Sequence, residues 1–257
     1  MKEKNIIYDG SFEGFLSAVF YVFEHKFDVV NIQNNTSVQN GLFTQNETIP
    51  TETIKANRVW KGLTSKLSAS ACNTIYYAFL SEKLGAEQIL LDYIKYAFSN
   101  TRKIDKDFSH PSVLKTSQIA KMVGREKHRM EAFVRFRLTK DAIYFASIEP
   151  DFNVLPLLIK HFKNRYADQK WIIYDIKRHY GLYYDLNTVD TINIEFPTHF
   201  DFTKTDDNYF SDQEFEFQKL WQDYFKSTNI ESRKNMKLHI RHVPKRYWKY
   251  LSEKQPN

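Results

Sequence analysis

The 257-residue chain is 42% hydrophobic and 16% aromatic with seven glycines, a composition that excludes a low-complexity chain and predicts a globular protein with a sizeable core. It has no run of about 18 apolar residues to span a bilayer, and MKEKNIIYDG lacks the apolar centre of a signal peptide, so no membrane contact and a cytoplasmic location are expected. The single cysteine, Cys72, excludes an internal disulfide and any multi-cysteine zinc or iron–sulfur site, and the formal charge of +6 suits a polyanionic partner.

Ile6-Ile7-Tyr8 reads as a short strand, Asp9-Gly10-Ser11 as a turn, and Phe12 to His25 as a helix burying Phe15, Val19, Val22 and Phe23. Phe27 to Ile32 resembles a second strand. A polar loop interrupted by Leu42-Phe43 follows, from Asn31 to Asn46. Thr51 to Leu67 is predicted helical with Ile54, Val59, Leu63 and Leu67 inward, and Ser68 or Ser70 can cap the next helix, through Leu80. Gly85 separates it from Ala86 to Ser99, whose apolar face is Ile89, Leu90, Tyr93, Ile94 and Ala97. Between Ser117 and Met130, Ile119, Met122, Val123 and Met130 fall on one helical face, with Lys121, Arg125 and His128 opposite. The spacing Ala120-x-x-x-Gly124 partly mimics a helix-turn-helix, but Arg125 stands where that motif wants an apolar residue.

Glu131 to Leu138 alternates: Ala132, Val134, Phe136 and Leu138 point one way, Phe133, Arg135 and Arg137 the other. Thr139-Lys140-Asp141 then leads into Ala142 to Ile148 as an antiparallel partner, stopped by Glu149-Pro150-Asp151. Asn153 or Asp151 can cap a helix that buries Leu155, Leu158, Ile159, Phe162 and Tyr166. Trp171 to Ile176 is a strand ending in Lys177-Arg178-His179, Leu182 to Leu186 returns, and Thr191 to Phe196 adds an edge. A late helix has Phe215, Leu220, Trp221, Tyr224 and Phe225 as its core face, Arg233 to His242 forms another segment, and Pro244 precedes Lys245-Arg246-Tyr247-Trp248-Lys249. The fold expected is α+β: a mostly antiparallel sheet packed with N-terminal and C-terminal helices. It is read as one domain over 1–257, helical over about 12–130, sheet-rich over about 131–200 and basic over about 231–254.

Residues 231–254 carry eight Lys/Arg against Glu231 and Glu253, while Asp201 to Glu216 is acidic with Lys204 its only base. The residues expected to bind nucleic acid are Lys121, Arg125, Arg129, Arg135, Arg137, Lys177, Arg178, Lys245, Arg246 and Trp248. Guanidinium groups take phosphate bidentately, and an exposed indole stacks on a base. Alternatively Arg135 and Arg137 pair with Glu149 or other acids inside the fold, and the basic tail covers DNA, a partner or the chain's own acidic segment. Candidates for acid–base chemistry are His128, Glu149, Asp151, His161 and His179, though no nucleophile elbow, P-loop or dinucleotide fingerprint accompanies them. His239-x-x-His242 lacks a third ligand, so neither a metal nor a cofactor is expected.

Four motifs, YDGSFEGFLSAVF, REKHRMEAFVRFR with IEPDFN, WIIYDIKR and VPKRYWKYL, together resemble an uncharacterised bacterial family described as DNA metabolism proteins. Such proteins are encoded beside a radical SAM protein assigned to DNA modification or repair. The resemblance therefore implies two partners, DNA and that radical SAM enzyme, and an accessory role. It leaves open an adaptor without DNA contact and an enzyme acting on a nucleotide or nucleic acid. Some members continue into a uracil-DNA-glycosylase-superfamily domain that is absent from this sequence, so that activity is not implied.

Overall fold

The computed structural model describes residues 4–27, 29–35, 45–228 and 235–254, and has an α+β fold with partly antiparallel sheets and helices towards both ends. Leu42-Phe43, Arg233, Lys234 and the side chain of Phe225 lie outside the described residues. The chain divides into two compact units, Met1–Gly124 and Arg125–Asn257.

In the first unit β1 (Lys4–Tyr8) lies between β2 (Val30–Asn34) and β3 (Gln45–Thr48), all parallel, with Ile6 level with Ile32 and Glu47. β3 was not expected and begins within the expected polar loop, which ended at Asn46; its sequence QNET has no apolar alternation to betray a strand. Ser11 caps α1 (Phe12–Glu24), its hydroxyl accepting the Gly14 N–H at 2.9 Å. Phe15, Val19 and Val22 are buried as their spacing predicts, whereas Phe23 lies exposed at the edge of the stripe. Three helices follow, α2 (Thr53–Lys66), α3 (Ala69–Phe79, capped by Ser68) and α4 (Ala86–Ser99). Val59, Leu63, Leu67, Leu90, Tyr93, Ile94 and Ala97 join the core with Ile6, Phe15 and Val19. Ile54, expected inward, is exposed: it lies on the opposite side of α2 from buried Ala56.

α5 (Pro111–Phe133) runs unbroken through Gly124. No helix-turn-helix bend occurs there, and the expected strand from Glu131 does not begin. Val134 N–H still bonds the Met130 carbonyl at 3.1 Å, and Glu126, Met130 and Val134 are buried at helical spacing. The alternation from Ala132 onward overlaps this period, and only Arg137–Leu138 forms strand β4. Arg135 therefore lies off the sheet, and the two arginines do not share a face of it.

The sheet of the second unit has the order β4-β5-β6-β7-β8. β4 pairs antiparallel with β5 (Tyr144–Ile148), but β5 runs parallel to β6 (Trp171–Asp175), the two joined through α6 (Leu155–Arg165). β7 (Tyr180–Tyr184) and β8 (Val189–Ile192) return antiparallel. Gly181 allows a close approach of β7 to β6, since a Cβ there would meet the Ile173 carbonyl oxygen at 3.1 Å. One sheet face packs Trp171 on Phe162 and Tyr184; the other gathers Phe145, Tyr174, Phe196, Phe200, Phe202 and Phe210.

α7 (Asp212–Thr228) reverses its expected orientation. Phe215, Leu220, Trp221 and Tyr224 are all exposed, while Glu214 is buried, accepting the Leu138 N–H at 2.8 Å and the Gln218 amide at 2.8 Å. The inner face of this helix serves the edge of β4 with a carboxylate. α8 (Met236–His242) and a 3-10 helix (Lys245–Tyr250) follow.

Candidate nucleic-acid interface

Ile148 of β5 stands level with Asp175 of β6, so both strands deliver their carboxyl ends to one place. In parallel strand pairs with a crossover helix, the crevice beyond those ends is where ligands commonly bind. Here it is bordered by Glu149-Pro150-Asp151 and by Lys177-Arg178-His179. Asp175, fully buried, accepts the Lys177 and Arg178 N–H groups at 3.0 and 3.2 Å and the Arg178 guanidinium at 2.9 Å. Burial pushes its carboxyl above the ordinary range, against the opposing pull of Arg178. Arg178 also donates to the Pro150 and Asp151 carbonyls at 3.2 and 3.0 Å, and Lys177 reaches the Asp151 carbonyl at 3.1 Å.

Glu126, 2% exposed on α5, ties this crevice to the C-terminal segment. Its carboxylate accepts the Asp151 N–H at 2.9 Å, the Arg246 guanidinium at 3.1 Å and the Tyr247 hydroxyl, with Arg129 at 3.7 Å. Arg246 also meets the Asp151 carboxylate at 2.7 Å. Glu149 takes Lys249 at 2.6 Å and the Tyr250 hydroxyl at 2.7 Å, and these two partners hold its carboxyl below the ordinary range. Instead of capping α6, Asp151 serves these cations, and Asn153 accepts the Tyr180 hydroxyl at 2.6 Å; the residue at the cap is Val154.

REKHR, IEPDFN, YDIKR and PKRYWKY, the cores of the motifs that carry the family resemblance, thus meet here through their own side chains. Arg129, Lys177, Arg178 and Arg246 come together, with Arg125 exposed one helical turn before Arg129 and Lys245 exposed beside Arg246. Trp248 donates its indole N–H to the Val243 carbonyl at 3.0 Å and lies under Lys254, 5.4 Å from its ring centroid. Lys121 is exposed on the part of α5 that belongs to the first unit. Glu126 escaped the sequence reading, although one signal was available: it stands on the apolar stripe Val123, Glu126, Met130, where a carboxylate needs partners.

Arg135 and Arg137 lie elsewhere. Arg135 pairs with Glu253 at 2.8 Å and donates to the Ala132 carbonyl at 2.7 Å. Arg137, 8% exposed, donates to the Phe202 carbonyl at 2.9 Å and to the Lys204 carbonyl, and lies over the Phe210 ring at 4.5 Å. Burial lowers it to about 10, still charged at neutral pH. Both line a cavity of about 730 Å³, together with Glu131, Phe136, His161, Arg165, Tyr166 and Trp221. Of the five acid–base candidates only His161 reaches it: Nδ1 is 3.8 Å from the Glu131 carboxylate, and Nε2 is buried without a hydrogen-bond partner among the described residues. The His128 side chain is exposed beside Glu131, and His179 is exposed in a turn at φ +57°. Among the described residues no group of three or more His, Cys, Asp or Glu is placed to hold a metal ion, and no helix is long and apolar enough to cross a membrane.

A family model described as a domain of unknown function, DUF4130, matches residues 85–253. The chain belongs to this family. The matched span contains the crevice and the cavity, and YDGSFEGFLSAVF precedes it. No curated protein matches the DUF4130 chain. Among solved structures, the pGpG-specific phosphodiesterase PggH from Vibrio cholerae aligns over 71% of this chain and 81% of its own at 9% identity, with a TM-score of 0.36. Similarity at that level carries no argument about fold or activity.

Proposed function

We propose that this DUF4130 protein is a DNA-associated accessory protein that acts with a radical SAM enzyme in DNA modification or repair, and that it contacts DNA through the crevice at the ends of β5 and β6. The supporting observation is the meeting of the family-resembling motifs in one basic cluster on rigid strand ends and a helix. Arg125, Arg129, Lys177, Arg178, Lys245, Arg246 and Lys249 stand against Glu126, Glu149, Asp151 and Asp175. Internal pairing commits part of this charge to the fold, so the surplus suits about three phosphates, a log–log salt slope of about −2.7 on duplex DNA. Titration of duplex and single-stranded DNA across a salt series tests this. A flat response overturns the reading, and Arg125→Glu with Lys245→Glu, both at exposed positions, is expected to abolish binding without unfolding the protein.

A docking role without DNA contact is favoured by a different feature: Leu220 and Tyr224 of α7 are 65% and 59% exposed, with Phe217 beside them. Co-purification with the radical SAM protein that survives nuclease but not Leu220→Glu would support that reading.

A further inference from the structure

The cavity of the second unit is separate in its chemistry from the crevice, and the DNA-surface reading leaves it unused. Its volume of about 730 Å³ lies in the range of small-molecule sites. Its walls are of two kinds. Phe136, Tyr166 and Trp221 present aromatic rings, whose centroids lie 5.2 Å apart for Phe136 and Tyr166. Polar residues line the same space. The Arg165 guanidinium lies 5.7 Å from the Tyr166 ring centroid and donates through Nε to the Tyr166 hydroxyl at 3.4 Å, and among the described residues its two terminal nitrogens make no hydrogen bond. His161 also lines the cavity, with its Nδ1 3.8 Å from the Glu131 carboxylate.

Each of these features selects against a simpler occupant. A purely apolar ligand would take water from the Arg165 terminal nitrogens and give them no partner in return, which is unfavourable. A bare anion would leave the aromatic walls in contact with water. A flat heterocycle joined to a phosphate satisfies both: aromatic faces stack on bases, and a guanidinium takes phosphate through paired N–H groups. Gln218 already donates to Glu214 at 2.8 Å and to Thr205 at 2.7 Å, so its carbonyl oxygen is left to accept from the edge of a base.

We infer that this cavity binds a nucleoside monophosphate unit, with the base between the aromatic walls and the phosphate on Arg165. The same unit is available as a free mononucleotide or as an unpaired nucleotide within a single strand. Isothermal titration calorimetry distinguishes them, using the four 2′-deoxynucleoside 5′-monophosphates, the corresponding nucleosides, inorganic phosphate and a short single-stranded oligonucleotide. Binding of a monophosphate is expected, at least about tenfold tighter than its nucleoside, and weakened about tenfold or more by Arg165→Ala and by Trp221→Ala. Both positions are exposed, and circular dichroism checks that the variants fold. Binding of the oligonucleotide alone, with the same sensitivity to both variants, assigns the nucleotide to a strand. Because neither variant touches Arg125 or Lys245, loss of cavity binding and loss of crevice binding are read separately. The inference is overturned if no probe saturates at about 1 mM, if inorganic phosphate binds as tightly as the monophosphate, or if both variants bind like the wild type.

Discussion

Tyr247 donates its hydroxyl to the buried carboxylate of Glu126, 121 residues earlier in the chain. Burial, and after it the Glu126 partner, raises the phenol far above its ordinary value, so it remains a donor at any working pH. Tyr247→Phe removes this donor and leaves Glu126 with fewer partners inside the protein. We expect a loss of about 1.5–3 kcal/mol, measured by urea denaturation, because hydrogen bonds to buried charged groups are worth that much.

Asp175 and Arg178 form the second internal pair of the crevice. Asp175→Ala takes the buried carboxylate from the Arg178 guanidinium, whose side chain is 9% exposed, and frees two backbone N–H groups. Breaking a buried pair from one side costs about 3–5 kcal/mol, and the expected drop in the urea midpoint should be larger than that of Tyr247→Phe. Asp175→Asn, which still offers an acceptor to the two N–H groups, should fall between.

Glu149 gives the protein a predictable acid response. Lys249, then Tyr250, holds its carboxyl below the ordinary value of 4.5, so the folded state binds the proton more weakly than the unfolded chain. The stabilisation is fully present above that ordinary value and is lost as pH falls through the lower folded one. A comparison of wild type with Lys249→Met by thermal melting should show a gap at neutral pH that narrows below about pH 4. A gap of constant size down to about pH 3 would show that Glu149 does not carry it.

Arg137→Met tests whether that arginine is structural. The substitution removes the Arg137 bonds to the Phe202 carbonyl, which keeps the Ser147 hydroxyl at 2.7 Å, and to the Lys204 carbonyl, and takes the cation from the face of Phe210. Hydrogen bonds given by a charged group are worth about 1.5–3 kcal/mol each, so a marked loss of thermal stability is expected. DNA affinity of the protein that remains folded should be unchanged, and a selective loss of affinity at unchanged stability would place Arg137 on the DNA surface.

The helices of the first unit are readable because a stripe such as Leu90, Tyr93, Ile94 and Ala97 has one period and one explanation. The end of α5 defeats the same reasoning for a physical reason. Met130 and Val134 satisfy a helix while Ala132, Val134 and Phe136 satisfy a strand, and the chain stays helical through Phe133, with the Val134 N–H still on the Met130 carbonyl. α7 misleads in the other direction, since its aromatic stripe has the spacing of a core face yet Phe215, Leu220, Trp221 and Tyr224 are exposed, and the residue turned inward is Glu214. For the candidate site, the cations Arg129, Lys177, Arg178 and Arg246 are visible as residue types. Their carboxylate partners are not, because Glu126, Asp151 and Asp175 are brought to them by the parallel register of β5 and β6 and by chain separations of up to 120 residues.

The bonds from Arg135 to Glu253, 118 residues apart, and from Glu126 to Tyr247 give the second unit a folding order. Contacts that span most of a unit form only after a large loop has closed, and such topologies fold slowly. On the ribosome, α5 and the sheet would emerge well before Tyr247, Tyr250 and Glu253. Until those residues arrive, Glu126 has no phenol, Arg135 has no carboxylate and the cavity lacks the wall supplied by Tyr250 and Ser252. The crevice and the cavity are thereby complete only in a chain synthesised at least through Glu253.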